Sequence, residues 1–339
     1  MKTFIPKSML AVLTGENNGS PIVREVPVPQ PGPGEVLVRM AAAPINPSDI
    51  GFLKGSYGDH GSSPVIAGFE GSGTVVAAGP GLFPRFLLGR GVACFGSPSG
   101  TWAEYVATSA TRCVPLKSNI SFEQGAMMLV NPLTALAFFD MVERGNHAAV
   151  VNTAAASALG RMILRLGRRH QVPVISIVRR EDQADLLITH GAEHVLESTD
   201  RNFVSKLTAV MHRLKATLVL DAVGGKLFQQ LLHAAPGNST FVLYANLSGE
   251  QVTIEPRILW KENKRVEGFF LGNWVGGRRF SDMLRDINKI RKWGATDLQS
   301  RVQNGFPLTA VQQAVDTYQG NMTAGKVLLV ANPEEMPLN

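Results

Sequence analysis

From Val150 to Ile163 the chain reads VVNTAAASALGRMI: an apolar run, a turn of small residues, then apolar positions at helical spacing. That pattern predicts a buried strand passing through a tight turn into a helix. It recurs downstream. Helices are predicted over 158–169, 181–190, 201–213 and 226–234, between the strand-like runs HAAVVNT, PVISIVRR, HVLE, ATLVLDAVGG and STFVLYAN. Alternation of this kind predicts a doubly wound parallel sheet with helices on both faces.

The flanking regions have another texture. Residues 1 to about 117 hold short apolar runs (EVLVRMAA, GSGTVVAAG, GVACF, WAEYVAT) separated by turn signals such as PQPGPGE and SPSG. This predicts an all-β, barrel-like domain. The segment SFEQGAMMLVNPLTALAFFDMVERG reads as helices, with Ser121 at a helix start. Beyond about 258, helices over 281–292 and 309–318 precede a last strand, GKVLLVA. The expected organisation is an α/β chain in three segments. Residues 1–120 form the β-barrel domain, 121–258 a Rossmann-type domain, and 259–339 return to the first.

Composition narrows the class. With 339 residues the chain suits two domains, and 45% hydrophobic and 18% charged residues suit a globular protein. The net charge of +6 is scattered in pairs such as Arg168-Arg169 and Arg278-Arg279. A nucleic-acid binder concentrates charge on one face, so no nucleic-acid partner is expected. Cys94 and Cys113 are the only cysteines, which fits a reducing compartment. The first residues lack the uninterrupted apolar core of a signal peptide. The longest apolar stretch, 126–139, contains Asn131 and Pro132 and is too short to span a bilayer. A cytoplasmic protein without a membrane partner is expected.

The turn at 153–160 is placed where a phosphate loop would be. Counted back from Gly160, the positions of a G-x-G-x-x-G fingerprint hold Ala155, Ser157 and Gly160. The surviving glycine permits close helix–strand packing, and a serine hydroxyl can itself bond a phosphate oxygen. The helix N-terminus still offers free N–H groups and a positive dipole end. About twenty residues on, where an acidic side chain would bond the ribose of NAD, stand Arg179 and Arg180. Two arginines suit the 2′-phosphate of NADP, so NADPH is the expected cofactor.

The loop INPSDIGFLKGSYG, residues 45–58, follows a strand and offers Asn46, Ser48, Asp49 and Tyr57. With GFEGSGTVVAAG, VNPLTA, IVRR, GAEHVL, LDAVGG and GKVLL, the chain resembles the medium-chain dehydrogenase/reductase superfamily over nearly its full length. It looks most like the zinc-free branch of mitochondrial-type 2-enoyl thioester reductases and quinone reductases. The resemblance implies a GroES-like catalytic domain beside the Rossmann domain, and a homodimer.

The resemblance also assigns roles. In the zinc alcohol dehydrogenases a cysteine stands where this chain has Asn46 and a histidine where it has Phe69, so no catalytic zinc is expected. Tyr57 matches the proton donor of the enoyl reductases, a phenol protonated at neutral pH. Asn46 is expected to orient the substrate carbonyl or the nicotinamide. Asn131 is placed by the nicotinamide, and Ser157, Ala158, Leu159 and Gly160 form the phosphate turn. Tyr244, Ala245, Asn246 and Leu247 face the nicotinamide ribose, Phe269, Phe270 and Leu271 close over the ring, and Lys326 reaches the cofactor. Trp274, in VEGFFLGNW, lines the substrate pocket. The family usually has a glycine where this chain has Ala158.

The implied activity is NADPH-dependent reduction of an activated C=C bond in a small molecule, an enoyl thioester or enone. The alternatives are an NADPH quinone oxidoreductase and a non-enzymatic NADPH-binding sensor.

Overall fold

The computed structural model describes residues 4–15, 20–56, 64–96 and 99–332. Its contacts separate two units, Met1–Val130 with Ile287–Asn339, and Asn131–Asp286. The second unit thus starts at Asn131 rather than 121 and runs to Asp286 rather than 258. The helix Phe122–Ala126 packs on strands of the first unit. At the other end, the strand Arg265–Gly268 extends the second unit's sheet by pairing with Thr240–Leu243.

The second unit is built on six parallel strands. In spatial order they are His194–Glu197, Val174–Val178, Ala149–Asn152, Ala216–Asp221, Thr240–Leu243 and Arg265–Gly268. The chain enters at Ala149–Asn152, winds to one edge, then crosses to Ala216–Asp221 and winds to the other. The reversal leaves a crevice at the carboxyl ends of these two central strands, where open α/β sheets bind ligands. The central strands are apolar runs because helices cover both faces. The helix Phe203–Leu214 shows how: Phe203, Leu207 and Met211, spaced by four, are all buried. They meet Val151, Ile175, Val219 and Phe241 in one core. Each such side chain contributes about 1.5–3 kcal/mol by leaving water.

In the first unit, the strand Glu35–Pro44 is central. It pairs antiparallel with Glu70–Ala78, Tyr105–Ser109 and the last strand among the described residues, Lys326–Val330. Trp102 is fully buried beside it and donates from Nε1 to the Pro44 carbonyl at 3.2 Å. Gly68 (φ +95°) lies against that indole; a Cβ there would meet the ring at 2.3 Å. The strand Glu35–Pro44 thus ends on a fixed point, and the loop carrying Asn46 starts from it. Among the described residues, no helix is long and apolar enough to cross a membrane.

Candidate functional site

In the second unit the strand Ala149–Asn152 enters the turn and the helix Ala158–His170 leaves it. Ser157 is the N-cap; its Oγ accepts from the Gly160 N–H at 3.1 Å. The hydroxyl proton of Ser157 is left to donate elsewhere. Ala158 and Leu159, in the helix's first turn, have N–H groups with no intrahelical acceptor. Gly160 packs so closely that a Cβ would meet the Ala155 carbonyl oxygen at 2.3 Å. Ala154 takes a left-handed conformation (φ +48°), which glycine adopts more readily. The turn therefore has the shape of a glycine loop with alanine in it. Arg161, nearly buried, donates to the Ala156 carbonyl at 2.8 Å and holds a guanidinium against the turn.

The crevice floor is tied together by two residues without a role in the sequence reading. Thr153 Oγ1 donates to Asp221 Oδ1 at 2.7 Å and accepts from the Ala222 N–H at 2.8 Å. Asp221 also accepts from the Val223 and Gly224 N–H groups. The two central strands are thus joined where they end. Asp221 closes its strand and lies in the motif LDAVGG, which was the available sign; its partner is sixty-eight positions away.

Arg179 and Arg180 follow the strand Val174–Val178, and both are exposed. They are not equivalent. Arg180 forms a two-pronged pair with Asp182, at 2.9 and 3.1 Å. The Arg179 guanidinium has no partner among the described residues, while its N–H donates to Gln183 Oε1.

The segments around Tyr244 and Phe269 converge on Phe138, from the helix Val130–Gly145. The Phe138 ring lies 5.0 Å from Tyr244 and 4.9 Å from Phe269. Burial, with Asp221 nearby, pushes the Tyr244 phenol above its ordinary range, so it stays protonated. The loop is stitched to the crevice by Tyr244 N–H to Asp221 O and Leu247 N–H to Ala222 O. Ala245 is half-buried, and Asn246 is occupied within its own turn by Glu250 and Ser248. Leu247 and Phe270 are exposed, and Leu271 and Trp274 half-buried. Arg278 lies over the Trp274 ring at 4.3 Å and bridges Asp140 and Asp286. Asn131 is nearly buried at the start of its helix.

In the first unit Asn46 is the N-cap of the helix Pro47–Leu53, and Asp49 Oδ2 accepts its N–H at 2.7 Å. Asn46 is only 1% exposed. Its Nδ2 donates to Glu70 Oε1 at 3.2 Å, and its Oδ1 accepts from Lys326 Nζ. Lys326 Nζ also donates to the Ile45 carbonyl at 3.3 Å. Glu70 Oε2 accepts from the Leu129 and Val130 N–H groups at 3.0 and 2.9 Å. Asp49 Oδ1 accepts from the Phe69 N–H at 3.1 Å.

Asn46, expected at the substrate or nicotinamide, and Lys326, expected at the cofactor, meet each other in this cluster. Two buried carboxylates require a cation and hydrogen bonds, and these two side chains supply them. Burial pushes the Asp49 carboxyl up to about 7 against the pull of Lys326 and backbone N–H groups. Burial also raises Glu70, and it lowers Lys326 to about 8.

Tyr57 lies outside the described residues; Gly55 and Ser56 lead to it, with the Ser56 N–H and Oγ both bound to the Gly51 carbonyl. Among the described residues no three His, Cys, Asp or Glu side chains group as metal ligands.

Two family models match the chain: an alcohol dehydrogenase GroES-like domain over residues 32–118, and a zinc-binding dehydrogenase over 158–289. The mitochondrial enoyl-[acyl-carrier-protein] reductase of Homo sapiens is 30% identical over 308 residues, covering 87% of this chain and 80% of that protein. A solved structure of a putative NADPH:quinone reductase from Mesorhizobium loti superposes with a TM-score of 0.89 at 34% identity, covering 97% of this chain and 100% of the other. Another, from Bacillus thuringiensis, gives a TM-score of 0.86 at 26% identity, covering 96% and 99%.

Proposed function

Because the chain belongs to the medium-chain dehydrogenase/reductase superfamily, we propose that it is an NADPH-dependent reductase of an activated carbon–carbon double bond, in a 2-enoyl thioester or an enone. The observation that carries this is the turn at 153–160. It keeps the N–H groups of Ala158 and Leu159 and the Ser157 hydroxyl proton available at a helix N-terminus, where a pyrophosphate binds. Arg179, exposed and unpaired among the described residues, supports recognition of the 2′-phosphate. Tyr244, Phe269 and Asn131 are proposed to surround the nicotinamide.

NADPH, when bound, supplies the hydride for the β-carbon. Tyr57 then gives its phenolic proton to the α-carbon of the enolate and recovers one from solvent. No step is assigned to zinc: an amide at Asn46 and a ring at Phe69 do not make a ligand set. The quinone reductase reading is favoured by the 34% identity to the Mesorhizobium loti protein, whose name carries that activity.

Intrinsic fluorescence titration with NADPH and NADH is the first test. Tight NADPH and weak NADH binding is expected; binding of neither overturns the proposal. Tyr57→Phe then separates the substrate classes. Turnover of an enoyl thioester should fall about 100-fold, on the scale of a positioned acid. Quinone turnover should stay level if that is the true activity.

A homodimer is part of the proposal. Arg265–Gly268 is an edge strand with every residue but Val266 exposed, and Trp260 nearby is 70% exposed. An open edge of this kind is a template for a second copy. Light scattering on the purified chain reads the mass directly. The location proposed for it is cytoplasmic, whereas the human relative's name carries "mitochondrial".

A further inference from the structure

The short helix Leu82–Leu87 is held to the first unit by little. Only Pro84 and Leu87 are buried, and Leu87 enters the core formed by Val36, Val75 and Cys94. The other large side chains point outward. Leu82 is 88% exposed, Phe83 46%, Phe86 56% and Leu88 53%. Among the described residues of the first unit, only Phe4 joins them as an exposed large hydrophobic. Folding does not require these four to be apolar, because none of them is buried.

The charges in this stretch of the chain have one sign. Between Gly79 and Ala103 the only charged residues are Arg85 and Arg90, both exposed. The Arg90 guanidinium lies over the Phe86 ring at 3.9 Å, which places a cation directly against the apolar surface. A third exposed arginine, Arg112, ends the turn Ala110–Arg112 that packs against this helix. Of the described carboxylates nearest in the chain, Glu70 is buried and bonded to Asn46, Leu129 and Val130, and Glu104 accepts from the Leu10 N–H.

We propose that Leu82, Phe83, Phe86 and Leu88 with Arg85, Arg90 and Arg112 form a contact site for an anionic lipid surface. Apolar side chains beside arginines are the composition of segments that lie in the headgroup region. The arginines complement anionic headgroups. The size of the patch favours lipid over a protein. Six helical residues extend about 9 Å, whereas a stable protein partner needs roughly 800 Å² on each side. A bilayer surface imposes no such shape or area. The contact is peripheral and independent of the proposed reductase activity.

The test is co-sedimentation of the full chain with vesicles of phosphatidylcholine alone and of phosphatidylcholine with phosphatidylglycerol. Binding to the anionic vesicles, weakened by salt, is expected. Phe86→Asp and Leu82→Asp should each reduce the bound fraction about tenfold, and Arg85→Glu with Arg90→Glu should remove the preference for phosphatidylglycerol. These side chains are exposed, so thermal melting should be unchanged, which separates lost contact from lost fold. Leu82→Cys carrying a polarity-sensitive fluorophore gives a second readout, since Cys94 and Cys113 are buried; its emission should shift to shorter wavelength on anionic vesicles. No sedimentation by the wild-type chain overturns the proposal, as does equal sedimentation of the aspartate variants. If Phe86→Asp instead dissociates a dimer, a second copy covers the patch and the lipid contact is wrong.

Discussion

At the turn 153–160 the chain leaves donors open: the N–H groups of Ala158 and Leu159 and the hydroxyl proton of Ser157. The polar groups of Asn46 itself are engaged. Its amide binds Glu70 and Lys326, and its N–H binds Asp49. Both places look like functional sites in the sequence, because both carry polar residues after a strand. The difference lies in residual hydrogen-bonding capacity. A ligand site keeps capacity in reserve, whereas a buried polar cluster must close upon itself or destabilise the fold.

Breaking the closed cluster should give the largest effect. Lys326→Met leaves Glu70 and Asp49 buried without their cation and should cost about 3–5 kcal/mol in urea unfolding. Adding Glu70→Gln should recover part of that loss. A Lys326→Met chain as stable as wild type would show that the cluster is not closed. The cluster also has a pH signature. Asp49 is raised from 3.8 to about 7, so the folded state holds a proton that the unfolded state releases. Its contribution to stability is therefore greatest below about 4 and declines up to about 7. Lys326, lowered from 10.5 to about 8, acts in the opposite sense, and stability rises between those values as the unfolded state becomes the one that holds the proton. Asp49→Asn should flatten the acidic limb.

The open site should respond in affinity rather than in stability. Arg179→Ala should weaken NADPH binding about tenfold, or roughly 1.4 kcal/mol, and leave NADH binding unchanged. Arg180→Ala should do less, because its guanidinium is already paired with Asp182. Equal losses from both would mean that the Asp182 pair opens for the ligand. The smallest effect is expected at Ala154. Ala154→Gly relieves a left-handed alanine and should stabilise the chain by up to about 1 kcal/mol, less the entropy that glycine adds to the unfolded state.

Local pattern made the second unit legible. Helices predicted over 158–169 and 226–234 are found at Ala158–His170 and Gly225–Ala234. Gly160 was identifiable because a strand, a turn and a helix are contiguous there. Long-range pairing was not legible. Lys326 and Asn46 meet across 280 positions, and no periodicity near either predicts the other. The strand Arg265–Gly268 is four residues long and mostly exposed, so it shows neither alternation nor an apolar run, and its place at the sheet's edge was not legible.

The position of Lys326 in the chain also sets an order of assembly during translation. Asp49 and Glu70 leave the ribosome before their cation, which is encoded 256 positions after Glu70. At about 5–20 residues per second, roughly 10–40 s separate residue 130 from residue 326. The second unit, Asn131–Asp286, is continuous and has all its strands before that interval ends. The first unit waits with two carboxylates unneutralised and residues 42–44 of its central strand unpaired on one side until Lys326–Val330 arrives. The nascent chain therefore carries a completed second unit while the first is unfinished, and the strand Lys326–Val330 neutralises a loop made long before it.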